Sequence, residues 1–179
     1  TFREVTNTIS GRNYHPSVIE PSFGIGRLLY CLFEHVYYVR QGDDEMRAVL
    51  ALQPILAPIK VALLPLSKNE AFDKLISAML NEFRTKKTVC RVDDSGGSIG
   101  RRYSRADEIG TPFGITVDFV SLEDETVTLR ERDSTTQVRG KWKDVVNAVI
   151  QLSSNSITWQ EVQNMPGFVP FDSSAQESS

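Results

Sequence analysis

Lys60-Val61-Ala62-Leu63-Leu64 is the stretch on which the fold class turns. A strand with one wet face alternates apolar and polar residues, whereas a strand covered on both faces reads as a continuous apolar run. This run is nearly continuous, so it predicts an inner strand of a mostly parallel sheet. Downstream, Phe72, Leu75, Ile76, Met79, Leu80 and Phe83 recur at helical spacing, after Ser67 to Glu70 in the form of a capping box. Thr88-Val89-Cys90-Arg91-Val92-Asp93 reads as a second strand, and Ser98 to Ile109 as a helix entered through Gly96-Gly97 and ended by Gly110. Gly114-Ile115-Thr116-Val117-Asp118-Phe119 and Thr126-Val127-Thr128-Leu129-Arg130 are strands, the second alternating like an edge or antiparallel partner. Trp142, Val145, Val146, Val149, Ile150 and Leu152 form a last helical stripe. Strands that alternate with helices in this way predict a three-layer α/β domain over residues 59–152, with a mixed five-stranded sheet and helices on both faces.

Upstream of that domain, Thr1 to Asn13 is polar and aperiodic, a severed edge strand or a loop. Val18-Ile19-Glu20-Pro21 reads as a short strand stopped by proline. From Gly24, the apolar residues Ile25, Leu28, Leu29, Leu32, Phe33, Val36 and Val39 make one helical face running to about Arg40, where Gln41-Gly42-Asp43-Asp44 breaks it. Residues 1–46 thus form a separate strand-helix unit. The connection 47–58 contains Leu52-Gln53-Pro54-Ile55-Leu56-Ala57-Pro58, whose two prolines suit a passage between packed units. Residues 153–179 turn polar around one aromatic segment at Trp159, and the tail from Asp172 is predicted to be disordered.

A chain of 179 residues with 40% hydrophobic residues can bury one substantial core. It lacks an apolar run long enough to span a bilayer and an N-terminal signal core, which predicts no membrane association and no export. Cys31 and Cys90 fall inside a helix and a strand, so they are expected to be packed thiols and not a disulfide. With two histidines in all, no metal site is expected. The net charge of −3 argues against a nucleic-acid partner until its distribution is considered. From Arg84 to Arg105 there are seven basic residues against two acidic; Asp107 to Glu125 carries six acids and no base. Segregation of this kind permits a positive face on an acidic protein, although solvated helix faces would give the same counts.

Three stretches carry chemistry. In Glu20-Pro21-Ser22-Phe23-Gly24-Ile25-Gly26-Arg27 a carboxylate, a hydroxyl and an arginine stand around a glycine turn at a helix start. Glu20 can take an ammonium, Ser22 can hydrogen-bond and Arg27 offers a planar fork to phosphate. A plain turn with a surface arginine is the alternative. The dinucleotide fingerprint would need a third glycine where Leu29 stands, and the Walker ending is missing. In Gly96-Gly97-Ser98-Ile99-Gly100-Arg101-Arg102-Tyr103, the glycines free backbone N–H groups at a helix start, while Arg101, Arg102 and Arg105 add positive charge. A nucleotide or RNA phosphate would fit there. In Arg130-Glu131-Arg132-Asp133, alternation sends the two arginines to one face and the acids to the other, with Gln137 and Arg139 following. Base edges of single-stranded RNA can be read by such a set, and a cross-strand ion-pair ladder is the alternative.

Glu20-Pro21-Ser22-Phe23-Gly24-Ile25-Gly26-Arg27 resembles the third signature motif of class II aminoacyl-tRNA synthetases in the glycyl form. The resemblance continues through Leu56-Ala57-Pro58-Ile59-Lys60-Val61, Val92-Asp93-Asp94-Ser95-Gly96-Gly97-Ser98-Ile99-Gly100-Arg101-Arg102-Tyr103, Arg105-Ala106-Asp107-Glu108-Ile109-Gly110 and Leu129-Arg130-Glu131-Arg132-Asp133-Ser134, covering roughly residues 14 to 150. It implies that residues 1–46 end an antiparallel catalytic domain and that 59–152 bind the anticodon of tRNA(Gly). By position it makes Glu20 and Ser22 glycine-binding and Arg27 ATP-binding. Arg101, Arg102, Arg105, Arg130, Arg132, Asp133 and Gln137 become candidate tRNA contacts, with arginine and carboxylate suited to the edges of anticodon cytosines. It implies ATP as substrate with Mg2+, a homodimer in the full-length enzyme, and a cytoplasmic location with mitochondria left open. The first two class signatures do not occur in these residues, so the catalytic site is incomplete and the chain alone is expected to be inactive. A noncatalytic synthetase-like subunit that binds nucleic acid or protein is the rival reading. A small flavodoxin-like nucleotide-binding protein would leave the first 58 residues unexplained.

Overall fold

A computed structural model describes residues 15–41 and 46–172. The readings of residues 1–13, of Gly42-Asp43-Asp44 and of residues 173–179 lie outside the described residues. In chain order the elements are helix α1 (Ile25–Val36), strands β1 (Tyr37–Gln41), β2 (Met46–Leu50) and β3 (Val61–Pro65), a 3-10 turn (Glu70–Phe72) leading into α2 (Asp73–Thr85), then β4 (Cys90–Val92), α3 (Ile99–Glu108), β5 (Phe113–Val117), α4 (Val120–Asp124), β6 (Thr126–Glu131), β7 (Gln137–Lys141), α5 (Trp142–Ser153), α6 (Trp159–Gln163) and β8 (Val169–Phe171).

The main sheet runs β4-β3-β5-β6-β7-β8. β3 pairs in parallel with β4 and β5, and from β5 onward every pairing is antiparallel. The mixed α/β architecture expected from the alternation of elements is present, with six strands in place of five. The sixth, β8, is Val169-Pro170-Phe171, three residues with a central proline, too short to show a period. Proline is tolerated there because β8 is an edge strand.

One face of the sheet carries the large core. Val61 and Leu63 of β3, Ile115 and Val117 of β5, and Val127 and Leu129 of β6 meet Ile76, Met79 and Phe83 of α2 and Val145, Val149 and Leu152 of α5. The continuous run at β3 is explained by its second face, where Ala62 and Leu64 pack on Tyr103 and Ala106 of α3. Gly114 of β5 makes that approach possible: a Cβ there would lie 2.4 Å from the Tyr103 ring. Beyond Tyr103 the second face presents Thr128 and Arg130 of β6, Gln137 and Arg139 of β7 and Phe171 of β8.

Several local expectations are corrected. α1 ends at Val36 instead of near Arg40, and Tyr37-Tyr38-Val39, aromatic and β-branched, continue as a strand paired antiparallel with Met46–Leu50. The start of the proline-rich connection is therefore in β2. Val18–Pro21 has no strand conformation and is exposed. The expected capping box at Ser67 to Glu70 is replaced by Asn69, whose side chain caps the 3-10 turn by accepting the Ala71 N–H at 2.9 Å, and α2 follows from Phe72 without a side-chain cap. At α3 the expected Ser98 start holds. Both cysteines are free thiols, yet Cys31 is exposed, because no residue of α1 is buried.

Candidate nucleic-acid interface

Three of the arginines expected on a positive surface are buried. Arg130 is 8% exposed and gives two 3.1 Å hydrogen bonds to the carboxylate of Asp107, with its guanidinium 4.6 Å from the centroid of the Tyr103 ring. Arg132, 2% exposed, donates to the carbonyls of Gly110 (3.2 Å) and Leu52 (3.0 Å) and grips Asp133 with two 2.8 Å bonds. Arg102, 4% exposed, donates to the carbonyls of Pro65 (2.6 Å), Asp93 (3.2 Å) and Leu66 (3.3 Å). Alternation did place Arg130 and Arg132 on one face, but that face is covered where they sit. Carboxylates or carbonyls replace most of the water each guanidinium gives up on burial, although the Arg102 Nε has no hydrogen-bond partner.

Asp107 also accepts from Arg40 of β1 at 3.1 Å, and Arg40 reaches the carbonyl of Arg132 at 2.5 Å. The hairpin β1-β2 is thereby fastened to α3 and to the turn after β6. Read from sequence, Asp107 was one of an acidic run; nothing in its neighbours marks it as the hub of a buried network.

Arg101 and Arg105 remain at the surface. Arg105 bonds Asp93 at 3.0 Å and the Ser95 hydroxyl. Burial pushes the Asp93 carboxyl up, but the bonds from Ser95 and Arg105 prevail and hold it below the usual range. Gly97 at φ +126° makes the turn before α3, and the Ser98 hydroxyl accepts the Arg101 N–H at 3.4 Å, so part of the expected anion cradle is already satisfied. Asp133 is exposed at its edge and tied to Arg132.

Between α3, the β1-β2 hairpin and the open half of the sheet lies a cleft of about 470 Å³, lined among others by Arg40, Arg47, Tyr103, Thr128, Gln137 and Phe171. At its border Asp118 and Arg139 form a two-bond pair of 2.7 and 3.0 Å, and Thr126 fixes the guanidinium through a 2.6 Å bond. Of the residues expected to contact RNA, the structure brings Gln137 and one edge of Arg130 into this cleft. Asp118 and Phe171 were not found from sequence: the first reads as a strand end and the second lies beyond the last recognisable stripe. Glu20, Ser22 and Arg27 are elsewhere, the first two on exposed chain leading into α1 and Arg27 exposed on its first turn. Among the described residues no group of three or more His, Cys, Asp or Glu is placed to hold a metal ion, and no helix is long and apolar enough to cross a membrane.

Residues 60–152 match the family described as anticodon binding domain. The chain belongs to that family. It is 49% identical over 150 residues to glycine-tRNA ligase 1, mitochondrial, of Saccharomyces cerevisiae, covering 84% of this chain and 22% of the yeast protein. It is 48% identical over 168 residues to the glycine-tRNA ligase of Bombyx mori, covering 93% of this chain and 23% of that protein. The chain thus spans less than a quarter of the length of these curated relatives. In fold it is similar to a crystal structure of prolyl-tRNA synthetase from Cryptosporidium parvum complexed with halofuginone and AMPPNP, with a TM-score of 0.55 at 19% identity over 59% of this chain and 22% of that one. The family match ends at residue 152, so α6 and β8 of this anticodon binding domain chain lie outside it.

Proposed function

We propose that this chain is part of a glycine-tRNA ligase, which joins glycine to tRNA(Gly) at the expense of ATP, and that residues 59–152 hold the tRNA anticodon. The observation that carries this reading is the 49% identity to a glycine-tRNA ligase over 84% of the chain. The cleft supports it: its border is rich in arginine, and its floor of threonine, glutamine and guanidinium groups offers hydrogen bonds to splayed base edges, as single-stranded RNA requires. Arg101 and Arg105 act from the outside on phosphate, which is how contacts position a nucleic acid without reading it. Arg102, Arg130 and Arg132 serve from within, Arg130 with one edge toward the cleft and the others by fixing the loops around it. Asp133 holds Arg132, and Gln137 reaches for a base.

The other unit supplies glycine and ATP contacts. The donor set fits: Glu20 provides a carboxylate for an ammonium, Ser22 a hydroxyl, and Arg27 a guanidinium on the first turn of α1 for phosphate. Mg2+ would arrive on the ATP phosphates. A homodimer and a cytoplasmic location belong to the same reading of the full-length enzyme. The test is charging of tRNA(Gly) transcripts by the full-length protein. Glycine-specific charging that falls sharply when the anticodon is replaced is expected; charging indifferent to the anticodon would reject the role given to residues 59–152, and absence of glycine-dependent exchange of pyrophosphate into ATP would reject the ligase.

A further inference from the structure

The segment after residue 152 does more than trail from the domain. α6 opens with a capping box at Thr158 and Glu161 and is docked on the turn before β7 by the Trp159 indole N–H, which donates to the Thr136 hydroxyl at 2.8 Å, as does the Gln163 amide at 3.3 Å. Phe168 then fills the space over Gly140, where a Cβ would stand 3.1 Å from the ring. These contacts deliver β8 to the sheet edge in a fixed register, with Phe171 directly opposite Gln137 and Val169 opposite Arg139. Residues opposite one another in an antiparallel pair point to the same face. Phe171 and Gln137 therefore both line the cleft, side by side.

The ring of Phe171 is only partly buried, and the Arg139 guanidinium lies 5.7 Å from its centroid. Asp118 and Thr126 prevent that guanidinium from swinging away. The cation lies over one face of the ring, so a base stacks on the other, and the neighbouring amide hydrogen-bonds its edge. Charge fits the same occupant. Around the opening Arg40, Arg47, Arg130 and Arg139 outnumber Asp107 and Asp118, the carboxylates that pair with three of them, as an RNA backbone requires.

We propose that Phe171, delivered by a segment outside the anticodon binding domain match, is a stacking shelf for one base of a single-stranded RNA loop, with Gln137 bonding the edge of that base. The proposal rests on the reading that the cleft takes an anticodon loop. Its rival is that Phe171 merely covers the sheet edge with apolar surface.

Aromatic stacking and apolar cover respond differently to substitution, so the full-length protein and its Phe171→Leu and Phe171→Trp variants should be titrated with an RNA hairpin carrying the tRNA(Gly) anticodon loop and with a blunt duplex of equal length. Thermal unfolding serves as the control for folding. Phe171→Leu should weaken hairpin binding roughly tenfold while leaving the thermal midpoint unchanged, and Phe171→Trp should restore wild-type affinity. Hairpin binding by Phe171→Leu equal to wild type, or loss in both variants together with a lowered midpoint, would overturn the shelf and leave the anticodon reading intact. If the wild-type protein binds the hairpin no better than the duplex, the anticodon reading fails and the shelf with it.

Discussion

Asp107 of α3 accepts two parallel 3.1 Å hydrogen bonds from Arg130 of β6, and both side chains are buried. Removing one partner would strand the other charge in the interior, which costs about 3–5 kcal/mol, while removing both can be much cheaper. Asp107→Leu or Arg130→Met alone should therefore lower the urea midpoint more than the two together. Arg40 also loses a partner in the Asp107 variant. An additive double variant would show that the two residues do not depend on each other.

Gly114 is a second test of how α3 is seated. A methyl there would meet the Tyr103 ring at 2.4 Å and push it from the Thr116 hydroxyl, now 2.6 Å from the phenol oxygen. Gly114→Ala should cost about 1–3 kcal/mol as overpacking, read as a fall in stability to denaturant. It should also weaken RNA binding, because Tyr103 lines the cleft. Unchanged stability would mean that the ring moves freely.

The outcome at these sites explains what sequence can carry. The apolar run at Lys60 to Leu64 identified a doubly covered strand because burial on both faces leaves its mark on every residue. Alternation at Arg130 to Asp133 correctly paired Arg130 with Arg132 on one face, but it could not say that Asp107, 23 residues earlier, waits there. Periodicity reports which residues share a face and is silent on what covers that face. β8 was invisible for another reason. Three residues show no period, and their place is set by Trp159 and Phe168, not by their own character.

Arg101 and Arg102, adjacent in sequence, should separate cleanly. Arg101 is exposed, so Arg101→Ala should leave unfolding within about 0.5 kcal/mol of wild type and reduce the salt slope of tRNA binding by about one if it contacts a phosphate. Arg102→Ala takes this donor from the carbonyl of Pro65 in a buried place and from those of Leu66 and Asp93 in part-buried ones, costing about 1–3 kcal/mol. Denaturant unfolding beside salt-dependent binding checks both. Equal behaviour of the two variants would refute the division.

Arg27 is exposed on α1 and far from the network around Asp107 in sequence and partners. In the full-length protein, Arg27→Ala should lower kcat/KM for ATP by roughly a hundredfold through lost stabilisation of spreading phosphate charge. Affinity for the anticodon hairpin should not change. A kcat/KM equal to wild type would remove Arg27 from the ATP site.

The Asp118–Arg139 pair at the border of the cleft makes stability depend on pH in a defined direction. Burial by itself pushes the Asp118 carboxyl up, but hydrogen bonds from Arg139 and Ser121 outweigh it and hold the group below the usual carboxylate range. In the unfolded chain it returns to about 3.9. A carboxyl depressed by folding contributes stability that is fully present above the unfolded value and is lost as pH falls through the folded one. Asp118→Asn lacks this contribution at every pH, since an amide does not ionise and cannot offer Arg139 two anionic acceptors. Wild type should therefore exceed Asp118→Asn in stability at neutral pH, and the gap should close as pH drops below about 4. Other acids titrate in the same range, but they do so in both proteins and cancel in the difference. Urea unfolding of the two proteins across that range gives the answer: a gap that stays constant down to the acid limit would mean that the geometry of the pair, and not its charge, supplies what Asp118 contributes.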